Sequence, residues 1–116
     1  MDEYEVVFYP DYGSEFRELE DVVKEALGEV FDLLRDIGPS LGRPSVDTLK
    51  GSRHGNMKEI RVSAADGVWR VAFAFDPDRK AVILCGGDKG GVGQQRFYDQ
   101  LIDKADKRFD HWLAGD

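Results

Sequence analysis

Residues 56–89 read NMKEIRVSAADGVWRVAFAFDPDRKAVILCGGDK, Asn56 to Lys89, and the pattern is that of three strands joined by two tight turns. Asp66-Gly67 matches the central pair of a type I′ turn, which needs positive φ at both positions. Asp76-Pro77-Asp78-Arg79 supplies the second turn, with proline presetting φ. A two-residue Asp66-Gly67 loop predicts that Val62 faces Val71 and Ile60 faces Phe73, aligning the apolar set on one side. On the other side Arg61 then stands opposite Ala72 and Ser63 opposite Arg70. The two arginines become diagonal neighbours, about 7–8 Å apart at the backbone. Pairing Asp76 with Ala81 predicts Phe75 against Val82 and Phe73 against Leu84 in the core. Ala74 against Ile83 and Ala72 against Cys85 then fall on the arginine side. The expected sheet has one apolar face and one face carrying two arginines over a floor of small side chains.

The whole chain has 116 residues, enough for one domain over 1–116 with its own core. A composition of 41% hydrophobic and 34% charged residues is that of an ordinary soluble globular protein. No apolar run approaches a membrane span. The acidic start (Asp2, Glu3, Glu5) has no signal-like apolar segment, and the single cysteine, Cys85, forms no internal disulfide, so a cytoplasmic location is expected. Cys85, His54 and His111 are too scattered for a metal site. The net charge of −7 is unevenly spread. Residues 1–49 carry four bases and thirteen acids (−9), residues 50–98 nine and five (+4), and residues 99–116 three and five (−2). The positive segment coincides with the predicted sheet, where a local basic patch serves phosphate binding despite an acidic remainder.

The flanks complete an α+β plan. Tyr4 to Tyr9 is aromatic and β-branched and predicts a strand that Pro10 ends. Ser14 fits a helix N-cap. Phe16, Leu19, Val23, Leu27, Val30, Leu34 and Ile37 then follow helical steps, with Gly28 a possible division into two helices. Gly38-Pro39 stops them. The helical face is expected against Ile60, Phe73 and Leu84. A short strand is expected around Val46–Leu49. Gly90 to Gly93 is a flexible connector and not a phosphate loop, since no Lys-Ser/Thr follows. Gln94 to Leu113 is a second amphipathic segment, with Phe97, Leu101, Ile102, Ala105, Phe109, Trp112 and Leu113 on its stripe.

Leu49-Lys50-Gly51, Lys58-Glu59-Ile60-Arg61, Val68-Trp69-Arg70-Val71-Ala72-Phe73 and Gly87-Asp88-Lys89 before a closing helix resemble the RelE/ParE superfamily of type II toxin–antitoxin toxins, in its HigB-like, phage-associated branch. The resemblance implies a RelE-like fold: an antiparallel sheet with an amino-terminal helix or helical pair on one face, and a carboxy-terminal helix. It implies metal-independent cleavage of messenger RNA at the ribosome, without cofactors. It also implies neutralisation by a cognate antitoxin, commonly a helix-turn-helix DNA-binding protein. The ParE branch inhibits DNA gyrase instead, and a non-catalytic antitoxin-binding module is a third reading.

By the same resemblance Arg61, Arg70, Lys89 and Tyr98 take the catalytic positions. Lys50, Arg53, His54, Lys58 and Arg96 are the expected RNA contacts. Where a strand lysine acts in RelE, Glu59 stands on the arginine face and Lys58 is one position off. Arginine suits the phosphate: its fork matches two oxygens and its charge is permanent. It is a poor base for the same reason. Proton transfer then falls to Lys89, Tyr98 or His54, the first two needing a lowered pKa to act as bases. Tyr98 and Phe97 are candidates for stacking on an RNA base.

Overall fold

The computed structural model describes residues 4–115; Asp2 and Glu3 of the acidic start lie outside them. Strand β1 (Glu5–Phe8) leads into α1 (Pro10–Arg17), and α2 (Asp21–Ile37) follows after a three-residue break. Pro10 both ends the strand and opens the helix, because a first-turn residue needs no N–H donor. Ser14 is therefore inside α1 and caps nothing, contrary to expectation. Gly28 does not divide α2 either: it lies within the helix on an uncrowded surface. Gly38 ends α2 with φ +74°, and a Cβ there would lie 2.1 Å from the Tyr4 ring, so only glycine fits both demands.

The strands β2 (Val46–Thr48), β3 (Lys58–Ala64), β4 (Gly67–Phe75) and β5 (Lys80–Asp88) are antiparallel neighbours in the order β1-β5-β4-β3-β2. β1 runs parallel to β5, which makes the sheet mixed. The β3–β4 loop holds Ala65 and Asp66, at φ 51° and 62°, not Asp66 and Gly67. Gly67 instead opens β4, with the end of the Asp88 side chain 2.5 Å from where a Cβ would stand. The pairing consequently moves by two, so Ile60 faces Val71 and Arg61 directly faces Arg70. A shift of two preserves the face of every side chain.

The β4–β5 turn corrects the predicted register by one. Three residues, Pro77 to Arg79, form the loop, with Arg79 at φ 66° and the Asp76 carboxylate accepting the N–H groups of Asp78 and Lys80. Phe75 thus faces Ala81, Ala74 faces Val82 and Phe73 faces Ile83. The irregularity between Ala72 and Phe73 leaves Leu84 as an extra residue, after which Ala72 faces Cys85 as expected. Ala81 and Ile83 therefore join the α2 side, while Val82, Leu84 and Cys85 lie on the other.

Both faces of the sheet are covered. Val23, Leu27, Val30, Phe31 and Leu34 of α2 pack on Ile60, Val71, Phe73 and Ile83. On the second face α3 (Gln94–Leu113) lays Leu101, Ala105 and Phe109 over Ala72, Ala74, Val82 and Leu84. The small alanines admit the helix closely, so the predicted open floor is mostly interior. Only the end carrying Arg61 and Arg70 stays accessible.

Arg108 of α3 ties this arrangement together. Its Nη1 donates 2.7 Å to the carbonyl of Leu84, the bulge residue, and both terminal nitrogens bond the Glu15 carboxylate. Those bonds hold Glu15 below the usual carboxylate range. Arg108→Met is expected to cost about 2 kcal/mol in urea unfolding, because a carbonyl loses its donor. Tyr12 offers the opposite case. It is 2% exposed and its hydroxyl has no partner among the described residues. Tyr12→Phe should raise stability by about 1 kcal/mol, read by the same measurement.

Candidate functional site

The accessible end of the second face is built on one cross-strand pair. Arg61 of β3 and Arg70 of β4 stand directly opposite each other. Like charges so placed repel, and each has its own compensation. Arg61 Nη2 lies 3.2 Å from Oε2 of Glu59, two residues away on the same strand face. Arg70 has no carboxylate partner among the described residues; its guanidinium lies 5.9 Å from the Phe97 ring centroid and 5.7 Å from that of Tyr98. Its Nε is buried without a partner.

Glu59 is 5% exposed, and its other oxygen accepts the Tyr98 hydroxyl at 2.8 Å. The Tyr98 hydroxyl first, and then the Glu59 carboxylate, hold the Arg61 guanidinium above its ordinary value against the opposing effect of burial. Tyr98 is pushed up by burial first and then by Glu59, outweighing Arg61 and Arg70. The phenol is thereby kept protonated: it suits a proton donor, not the base that a lowered pKa would have made of it.

A cleft of about 910 Å³ runs from this cluster between β2–β3 and α3. Arg61, Lys50 and Arg53 line it together with Asp47, Glu59, Asp99, Asp103 and Asp106. Where the sequence predicts a basic patch there is therefore a cleft of mixed charge, because the acidic face of α3 closes over the basic loop.

That loop is clasped to α3 by contacts that sequence reading did not anticipate. Asp106, 3% exposed, accepts the Ser52 hydroxyl and, at 3.0 Å, the Arg53 N–H. Arg53 also pairs with Asp110, which takes His54 Nε2 at 2.7 Å. Hydrogen bonds from His54 first, then Arg53, hold Asp110 below the usual carboxylate range. The His54 ring packs edge-on to Phe109, 4.9 Å between centroids. His54 is thus part of the clasp and does not line the arginine cleft.

Other expected contacts are dispersed. Lys58 projects to the opposite face, its Nζ donating 2.9 Å to the Pro39 carbonyl, as alternation from Glu59 requires. Lys89 Nζ donates 3.4 Å to the Val92 carbonyl within its own turn. Arg96 is exposed on α3 outside the cleft lining. Cys85 is buried, and burial pushes its thiol up to about 12, which leaves it inert. No cluster of His, Cys, Asp and Glu suited to a metal occurs among the described residues, and no described helix is long and apolar enough to cross a membrane.

In class, this is an α+β protein of the RelE fold. Its chain superposes on the structure of a mutant E. coli toxin RelE in the free state with a TM-score of 0.66 and 15% identity, over 91% of this chain and 97% of that one. Residues 14–110 match the family of phage-derived Gp49-like proteins (DUF891), and the chain belongs to that family, the HigB-like branch of the RelE-superfamily toxins. It is 40% identical over 111 residues to a Mycobacterium tuberculosis (strain ATCC 25618 / H37Rv) protein named "Putative toxin HigB3", covering 96% of this chain and 95% of the relative. A second protein of that strain, named "Putative toxin HigB2", is 45% identical over 91 residues, or 78% of this chain and 45% of the relative's length.

Proposed function

We propose that the protein is the toxin of a toxin–antitoxin pair and cleaves messenger RNA on the ribosome without a metal. The observation that carries this reading is the cross-strand pair of arginines at the accessible end of the sheet, beneath a protonated tyrosine. In the reaction a ribose 2′-oxygen attacks the adjacent phosphorus, the bond to the 5′-oxygen breaks, and charge builds on the non-bridging oxygens. Arg61 and Arg70 stabilise that charge. Tyr98 donates the proton that the 5′-oxygen needs on leaving. Glu59, the carboxylate within hydrogen-bond reach of Tyr98, is the acceptor for the 2′-hydroxyl proton. Lys50 and Arg53 contact the flanking backbone along the cleft. Lys58, on the opposite face, and His54, held by Asp110, take no step in this chemistry, and none is assigned to Lys89 or Arg96.

The mixed charge of the cleft favours ribosome dependence. Non-specific RNA affinity grows with the number of phosphates neutralised, and the Asp99, Asp103 and Asp47 carboxylates oppose it. Presentation of the message by the ribosome replaces that missing attraction with proximity. The reading includes a cytoplasmic location and a cognate antitoxin, of the helix-turn-helix kind by resemblance.

The same fold serves a gyrase inhibitor equally well. Induced expression, with primer-extension mapping of transcripts and analysis of plasmid topology, separates the two. Cut transcripts with unchanged supercoiling support the nuclease; relaxed or broken plasmid with intact transcripts supports gyrase. Harmless overexpression points to a module that only binds antitoxin.

A further inference from the structure

Of the five large apolar side chains exposed among the described residues, three lie on α2: Val22 at 52%, Leu33 at 39% and Ile37 at 43%. With the half-buried Ala26 they follow steps of four, seven and four, which is one helical stripe. The stripe sits about a quarter-turn from the buried Val23, Leu27, Val30 and Leu34. On its solvent side runs a second row, Glu25, Glu29, Asp32 and Asp36, in steps of four, three and four. Among the described residues only Asp32 of that row is held by a base, Arg35 at 2.7 Å. Nothing in the first core requires this apolar stripe, since α2 already meets the sheet through another face.

We propose that this side of α2 receives an amphipathic helix of a partner protein, one whose apolar stripe is edged by a row of lysines and arginines. The charge selects the occupant. A second copy docking through the same patch would set the carboxylate row against itself or against other parts of an acidic amino-terminal half. Anionic lipid surfaces and nucleic acids meet the same repulsion. A basic-edged helix buries the stripe and pairs with three uncompensated carboxylates along about 16 Å of helix. In the toxin reading, on which this identification of the partner rests, that helix belongs to the antitoxin. α2 and α3 cover opposite faces of the sheet, so the docking surface is distinct from the cleft lined by Arg61 and Tyr98.

The test uses a synthetic helical peptide of about five turns, leucines on one stripe and lysines beside it, with a matched peptide carrying glutamates instead. Backbone amide shifts of the full chain report where each binds. The lysine peptide should shift residues of α2 between Val22 and Ile37. Both the Glu25→Lys/Glu29→Lys/Asp36→Lys variant and Leu33→Asp should weaken it by about tenfold or more, while the glutamate peptide should not bind. Circular dichroism confirms that the variants are folded, and either one alone suffices. The proposal fails if shifts fall on the Arg61–Tyr98 cleft, if both folded variants bind undiminished, or if the glutamate peptide binds as well. It also fails if the chain dimerises and Leu33→Asp abolishes the dimer, which would make a second copy the occupant. Cleavage of ribosome-bound message by the wild-type chain is measured separately and bears on the nuclease reading alone.

Discussion

Arg70→Ala should abolish detectable cleavage of ribosome-bound message while leaving the protein folded. The expected loss is about 10²–10³ in rate, the range seen when one preorganised donor to a developing oxyanion is removed. Arg70 is suited to that role because no carboxylate among the described residues competes for it; aromatic faces hold it in place. The fold should tolerate the change, since the side chain is half-buried at the rim and its removal also removes a buried Nε that lacks a partner. Arg70→Lys keeps the charge without the planar fork and should recover only part of the rate. Single-round cleavage of a message stalled on purified ribosomes, with thermal unfolding in parallel, reads both effects. Wild-type rates in a folded Arg70→Ala protein would remove the arginine pair from the mechanism.

Asp106→Ala should be the most destabilising single change to a charged residue, by about 3 kcal/mol. The carboxylate is interior and satisfied by the Ser52 hydroxyl and the Arg53 N–H, so truncation strands both donors. Asp106→Asn keeps an acceptor oxygen and should cost less. Since the 50–56 loop forms one wall of the cleft, its amide resonances should broaden or move in Asp106→Ala even where the sheet is unchanged. Urea unfolding gives the energy; a loss below about 0.5 kcal/mol, typical of unremarkable surface positions, would show that the clasp is not structural.

These two residues differ in how far they were legible beforehand. Alternation alone puts Arg61 and Arg70 on one face. The structure keeps them there although its hairpin loop is Ala65-Asp66, because the pairing differs from the expected one by two residues and strand faces repeat every two. The β4–β5 error was one residue, and it sent Val82, Ile83 and Leu84 to the wrong sides until the bulge at Leu84 restored the register. A turn loop of three residues cannot be told from one of four by composition when the deciding feature is Arg79 at positive φ. The bounds of α3, by contrast, are legible as Gln94 to Leu113, because a glycine-rich connector precedes an unbroken stripe.

Asp106, Asp110 and Arg108 look in sequence like solvated charges on an amphipathic helix. Their partners, Ser52, Arg53, His54 and Glu15, are more than fifty residues away. The short-range period of the side chains therefore determined the strands, the helices, their apolar faces and the company that Arg61 and Arg70 keep. Only the packed chain decided that α3 closes over the arginine face, that His54 is drawn into a clasp with Asp110, and that the cleft is of mixed charge. The reason is that period is a local property of the backbone, whereas the compensation of a buried charge is a contact between distant segments that forms when the layers meet.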